Sequence, residues 1–247
     1  MSHTFRYVLR EPPVPGATVT LAEADSHHLA RVVRRQPGDA VELIDAEGRM
    51  WPAEVVAPGP PATLRLAAEP RPAPAVVPVE LFVGLAPWGR LDVVVEKAAE
   101  LGLARVGVMA SERVGRAPAP AAMRARLDRF ARLAEAAARQ SGRAAMPALE
   151  GLVAFDSVVA AAGSDGFLLD GRAPGGLAGA LAERRPARAV LLIGPEAGFS
   201  AGEVERARAG GLTPAGLGTA TLRVETAAIV AAATAAQALG HLGGAPP

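Results

Sequence analysis

The chain has no cysteine. That excludes disulfides, thiolate zinc sites and cysteine nucleophiles, and with them pyrimidine C5 chemistry through a covalent thiolate adduct. Its four histidines, His3, His27, His28 and His241, show no metal-ligand spacing, so no metal is expected. Lys97 is the single lysine. No apolar run reaches the roughly 20 residues that a bilayer span needs. The opening stretch MSHTFRYVLREPP has no secretory apolar core. A cytoplasmic protein without a membrane partner is therefore the expectation.

What is present fits a folded enzyme-sized chain. Its 247 residues suffice for one large domain or two small ones, and 50% are hydrophobic, so a core can form. The net charge of +1 rules out a polycation. Nearly all the positive charge is arginine, whose fork suits phosphates and base edges. Solvated surface charge accounts for most of it on the plainer reading.

The most informative stretch is Val190–Leu239. Val190–Ile193 reads as a strand buried on both faces. Gly194-Pro195-Glu196-Ala197-Gly198 breaks it. Ser200 with Glu203 is a capping-box pair, so a helix starts there and ends at Gly210-Gly211. A second loop, Leu217–Thr221, leads through Leu222-Arg223-Val224-Glu225-Thr226 into an alanine-rich helix, Ala227–Leu239. A helix apolar all round is expected to be buried. Two glycine loops at strand ends can line one crevice for a flat ligand. Neither loop contains G-x-G-x-x-G or G-x-x-x-x-G-K-[ST]. A nucleotide held by its phosphates is thereby disfavoured, and with it a nicotinamide-dependent oxidoreductase. An ordinary strand-to-helix turn stands open as the alternative.

GPEAGFSAGEV followed by LGTATLRVETA resembles the carboxy-terminal motif pair of the RsmE family. These are SPOUT-class enzymes that methylate N3 of a uridine in 16S ribosomal RNA with S-adenosylmethionine. Two departures are visible: Ala197 stands where the family has the first of two glycines, and Ala220 where it has a basic residue. The resemblance implies an α/β fold in two parts. A small PUA-like β-barrel that binds RNA, residues 1–72, precedes a SPOUT domain, residues 73–247, with a deep carboxy-terminal trefoil knot. It implies a homodimer acting on 16S rRNA or the small ribosomal subunit, without a metal. The donor pocket it implies comprises Leu169, Gly171, Ile193, Gly194, Pro195, Glu196, Gly198, Leu217, Gly218, Thr221, Leu222, Thr226 and Ala227. Methylation at N3 needs a base for the imide proton and a cation for the anionic uracil. Glu225 and Arg223 are the first candidates, with Glu196 as the alternative base. Both glutamates can instead simply hold the loops through backbone N–H groups. A non-catalytic RNA-binding or ribosome-assembly protein that kept the fold is the competing reading.

In chain order, short strands are expected at Phe5–Leu9, Val19–Leu21, Asp39–Ile44, Met50–Val56 and Thr63–Ala67, with a turn at Asp45–Gly48. A helix over 27–35, capped by Asp25 or Ser26, sets Arg31, Arg34 and Arg35 on one face toward an RNA backbone. Arg6 is a further candidate. HHLARVVR with PGD matches the family there. Glu69–Pro78, with four prolines, reads as a linker. A buried strand, Val79–Leu85, turns at Pro87–Arg90 into a helix ending at Gly102. Lys97 with Glu100-Leu101-Gly102 resembles the family's K-x-x-E-L-G, and Trp88 stands where the family often has lysine. Lys97 is either paired with Glu100 or set near RNA. The strand Val106–Ala110 ends in Ser111-Glu112-Arg113, with Arg113 a possible RNA contact or a plain surface arginine. A helix over Ala119–Gln140 ends at ARQSGR, a family-like segment in which Arg139 and Arg143 track phosphates or favour the helix dipole. Phe155–Ala162 and Ala178–Arg184 read as helices, and Phe167–Leu169 as a strand closed by Asp170-Gly171-Arg172.

Overall fold

The computed structural model describes residues 6–9, 11–45, 49–71, 75–113, 117–143 and 145–242. Two compact units emerge, residues 1–75 with 138–145, and residues 76–137 with 146–247. Phe5, His3 and residues 46–48 of the expected turn lie outside the described residues, as do residues 72–74 of the expected linker.

In the first unit, β1 (Arg6–Val8), β2 (Thr18–Thr20), β3 (Ala40–Ile44), β4 (Met50–Ala57) and β5 (Thr63–Leu66) form one sheet in the order β1-β3-β4-β5-β2. Only β1 and β3 pair in parallel. This is the small β-rich unit that the resemblance implies for the first part of the chain. Its core is Tyr7, Leu29, Leu43, Trp51, Val55 and Leu64. The alternating side chains of β4 and β5 supply much of it, as a period of two requires.

The expected helix over 27–35 takes another form. An α-helix, α1 (Glu23–His27), runs into a π-helical turn, His28–Val33, which ends at Arg34 with φ 56°. Ser26 is no cap. Its buried hydroxyl donates to the Leu21 carbonyl at 3.1 Å and accepts from the Ala62 amide at 3.0 Å. It pins the helix to the strand entry, so the helix must begin earlier. The i, i+3, i+4 spacing for Arg31, Arg34 and Arg35 therefore does not hold.

The second unit is a six-stranded, wholly parallel sheet of order β11-β9-β10-β6-β7-β8. The strands are β6 (Val77–Gly84), β7 (Leu103–Ala110), β8 (Ala148–Ala154), β9 (Gly166–Leu169), β10 (Ala189–Ile193) and β11 (Thr213–Ala215). The helices are α2 (Trp88–Leu101), α3 (Pro120–Ser141), α4 (Phe155–Ala162), α5 (Leu177–Arg184), α6 (Ala201–Ala209) and α7 (Val224–Ala238). Alternation along β10 divides the interior. Ala189, Leu191 and Ile193 join a core with α2, α3, α5 and α7, while Val190 and Leu192 join a second core with α4 and α6. A strand packed on both faces reads as an unbroken apolar run, as this one does.

Several elements differ from expectation. β8 carries Glu150 and Gly151, and β11 is Thr-Pro-Ala at the sheet edge, where proline is tolerated. Neither has the pattern of a strand, and neither was expected. β6 starts at Val77, whose amide donates to Gly102 at 2.8 Å. α2 starts at Trp88 rather than after the turn, because the indole packs on Phe130 at a centroid distance of 6.4 Å. α7 is not buried all round: Ala228, Ala231, Ala232, Ala235 and Ala236 face the core, while Thr226, Val230 and Gln237 are exposed. Among the described residues no helix is long and apolar enough to cross a membrane.

The strand order places the site. From β6 the chain moves outward through β7 and β8, then resumes on the other side with β9 and β10. Between β6 and β10 the direction of connection reverses, and ligands of open α/β sheets bind at the carboxyl ends beside such a switch. There the two strand ends touch. A Cβ on Gly84 would lie 2.5 Å from the Pro195 nitrogen, so only glycine permits this approach.

Candidate active site

A cavity of about 590 Å³ opens at the carboxyl ends of β9, β10 and β11. Three segments wall it, together with Arg90 and Ala227: residues 169–172 after β9, 193–196 with 198 and 199 after β10, and 217–224 leading into α7. The volume suits a ligand of drug-like or cofactor size. Of the residues proposed for donor contact, Leu169, Gly171, Ile193, Gly194, Pro195, Glu196, Gly198, Leu217, Gly218, Thr221, Leu222 and Ala227 all line it. Thr226 does not; it is exposed on α7. Arg223 lines the cavity; Glu225, the second residue of α7, is half-buried and is not among the lining residues.

The loop after β10 has a defined shape. Gly198 takes φ 68° and donates its amide to the Pro195 carbonyl at 2.8 Å, a turn that favours glycine. Ala197 is exposed, has no positive φ and is not among the cavity-lining residues. Ala220, the other departure from the family pattern, does line the cavity.

Around the rim lie charges of both signs. Arg172 grips Asp170 with two hydrogen bonds, at 3.0 and 2.9 Å, and donates to the Phe199 carbonyl at 3.2 Å, joining two walls. Burial pushes the Asp170 carboxyl up, but the bonds from Arg172 outweigh it and hold it below the usual carboxylate range. Arg90 contacts Glu196, and its Nε lies 3.7 Å from Glu225 Oε2. Arg223, the N-cap residue of α7, has no side-chain hydrogen bond or ion pair among the described residues. The sequence reading missed Arg90, Asp170 and Arg172 as site residues. The DGR at a strand end was a visible signal for the last two. Nothing local marks Arg90, because its neighbours in space are more than 100 residues away in sequence.

Glu203 supports the site from beneath. It is fully buried, and each carboxylate oxygen accepts one amide: Oε2 from Ser200 at 2.8 Å, Oε1 from Glu112 at 2.9 Å. With the Ser200 hydroxyl bound to the Glu203 amide, the expected capping box is complete. The same carboxylate thus ties the end of β7 to the loop after β10. Glu203→Gln turns an acceptor into a donor facing an N–H. We expect a loss of about 1–3 kcal/mol, read as a lower denaturant midpoint at unchanged slope. An unaltered midpoint contradicts this role.

The residues proposed for RNA contact fall into two groups. Most carry local partners. Arg6 Nε donates to Glu42 at 2.8 Å, and Arg71 holds the other oxygen of that buried carboxylate at 2.8 Å. Arg143 donates to the Ala75 carbonyl at 3.3 Å; burial and then the nearby Arg6 push its guanidinium below the ordinary arginine range. Lys97 bonds Glu100 at 2.6 Å and Glu96 at 2.8 Å, which raises its pKa. Arg113 donates to the Ala197 carbonyl at 2.8 Å, so it braces the cavity loop. Arg35 pairs with Asp39 at 3.8 Å. Arg139 is exposed near the end of α3. Arg31 and Arg34 are exposed, and their guanidinium groups have no partner among the described residues.

Comparison with known proteins fits this architecture. Residues 73–236 match the family model described as RNA methyltransferase domain, and residues 21–62 the one described as RNA methyltransferase PUA domain. The parallel sheet with its cavity at the strand ends is thus that of an RNA methyltransferase domain. Ribosomal RNA small subunit methyltransferase E of Synechocystis sp. is 31% identical over 236 residues, covering 93% of this chain and 76% of that protein. The protein of the same name from Neisseria gonorrhoeae, crystallised with S-adenosyl methionine, shares the fold. Its TM-score is 0.73 at 24% identity, covering 95% of this chain and 98% of that one. The chain belongs to the ribosomal RNA small subunit methyltransferase E family.

Proposed function

We propose that this protein transfers a methyl group from S-adenosylmethionine to N3 of a uridine in 16S ribosomal RNA. The observation that carries the reading is the cavity, whose walls bring together both glycine loops and the loop after β9. The residues present suit the donor. The loops offer backbone N–H and C=O groups at close approach, with no phosphate-cradling glycine motif, which fits a ligand held by its adenine and amino-acid ends. Bound there, S-adenosylmethionine supplies an electrophilic methyl group on a sulfonium. Leu169, Gly171, residues 193–196, Gly198 and residues 217–222 would hold it; Thr226 is not among the residues that line the cavity.

Glu225 takes the proton from uracil N3, which frees the nitrogen pair to bond the methyl carbon. The donor, when bound, would supply the methyl carbon with a neutral thioether as leaving group, and the N3 proton would end on the Glu225 carboxylate. Arg223, unpaired at the rim, stabilises the negative charge that develops on the uracil. Positioning of N3 in line with the methyl carbon supplies much of the remaining rate.

The proposal includes the knot. Gly216 donates to the Gly175 carbonyl and accepts from the Leu177 amide at 2.8 and 2.9 Å, after which α7 returns to pack on α2 and β6. This supports threading of the segment past the loop after β9. It also includes a homodimer through the exposed stripe of α7, with Val230, and its neighbour α2, with Val93. For RNA, the free guanidinium groups of Arg31 and Arg34 are the first phosphate contacts. Removing both lowers the slope of log K against log salt by about 0.7–0.9 per phosphate lost; an unchanged slope excludes them. The reading is tested by incubating the protein with labelled donor and 16S rRNA or small subunits, then mapping the product. A 3-methyluridine at one position is expected, and label at carbon or ribose oxygen contradicts it.

A further inference from the structure

Arg90 breaks a local rule. It is the third residue of α2, where the positive end of the helix disfavours a cation. Two carboxylates hold it there. It contacts Glu196, which is exposed, and its Nε faces Glu225 Oε2 at 3.7 Å. That oxygen is buried and accepts no hydrogen bond. Buried polar atoms are nearly always satisfied, so an oxygen left to one ion-pair contact marks a group kept for another partner. The surroundings fix the pair. Trp88 packs on Phe130 and lies under the Arg126 guanidinium at 4.8 Å, anchoring the start of α2. The close approach of Gly84 and Pro195 brings that start beside Glu196. α2 and α7 pack side by side, so Glu225 on the first turn of α7 comes within reach.

We propose that Arg90 is the positioning residue for Glu225: its side chain, clamped by Glu196, aims the Glu225 carboxylate at the uracil imide without touching the base itself. The inference rests on the methyl-transfer reading above. It adds an ordered relay, Glu196 to Arg90 to Glu225, in which only the last member handles the proton.

A double-mutant cycle tests it, with turnover measured at saturating donor and RNA and donor affinity measured by calorimetry. Misplacing a reacting group by about 1 Å costs on the order of 10²-fold, so R90M is expected to lower kcat by about 10–100-fold, with KM for RNA unchanged and donor Kd, Arg90 being a cavity-lining residue, changed far less than kcat. R90K recovers part of the loss, because a charge 3.7 Å away matters more than the fork. In the E225Q background R90M adds almost nothing, since coupled residues are not additive. In the crystal structure of the R90M protein the Glu225 carboxylate leaves its present direction. A full R90M loss in the E225Q background overturns the proposal and makes Arg90 a direct substrate contact. A loss confined to KM or donor Kd, or an unmoved carboxylate, also overturns it. If the unaltered protein transfers no methyl group, the underlying reading fails first and the relay with it.

Discussion

Glu225→Gln lowers kcat by about 10²–10⁴-fold, the range that a positioned general base contributes, and leaves donor affinity unchanged. The carboxylate is not among the residues that line the cavity, so donor binding does not depend on it. Its buried Oε2 has no hydrogen bond to forfeit on substitution. Glutamine is close in size and cannot take the proton. Single-turnover rates with saturating donor, beside calorimetric donor binding, check both halves. Normal turnover would remove Glu225 as the base. Glu196, solvent-exposed and tied to Arg90, would then be the next candidate.

Arg223→Ala lowers kcat by about 10²–10³-fold, as loss of one donor to a developing anion does. The structural cost is small, because the guanidinium has no partner among the described residues and only the backbone caps α7. The Arg223 carbonyl accepts from Ala227 at 2.8 Å, and alanine keeps that bond. Turnover falls more than donor binding. Equal losses in both would assign Arg223 to holding the donor instead.

Much of this site is written in short sequence patterns. The capping box at Ser200 and Glu203, the apolar run of β10 and the glycine stop at Gly102 follow from local chemistry, and each is found in the structure. The two glycine loops carry their own turns, so their shared cavity follows once both strand ends lie on one edge of the sheet. What was hidden depends on distant partners. Ser26 looks like a cap, yet the sheet claims its hydroxyl and shifts α1 toward the amino end. β11 is three residues with a proline, a strand only because β9 lies beside it. Arg90 reads as part of a turn until β6 and β10 are placed side by side. The basic stripe over 31–35 requires ideal helical spacing, which the π-helical turn removes.

The departures from the family pattern sharpen the comparison. Ala197 is exposed and not among the cavity-lining residues. Trp88 has a packing role on Phe130 that a lysine could not fill. Of the three, Ala220 is the one that lines the cavity.

The central claim is that the cavity at the ends of β9, β10 and β11 takes a sulfonium methyl donor. Calorimetric titration of the protein with S-adenosylmethionine, repeated with S-adenosylhomocysteine as competitor, tests it most directly. The account predicts saturable binding at one site per chain, displaced by the competitor and abolished when Gly194 is replaced by a bulky residue such as valine. No heat, or binding that survives the Gly194 substitution unchanged, would contradict it.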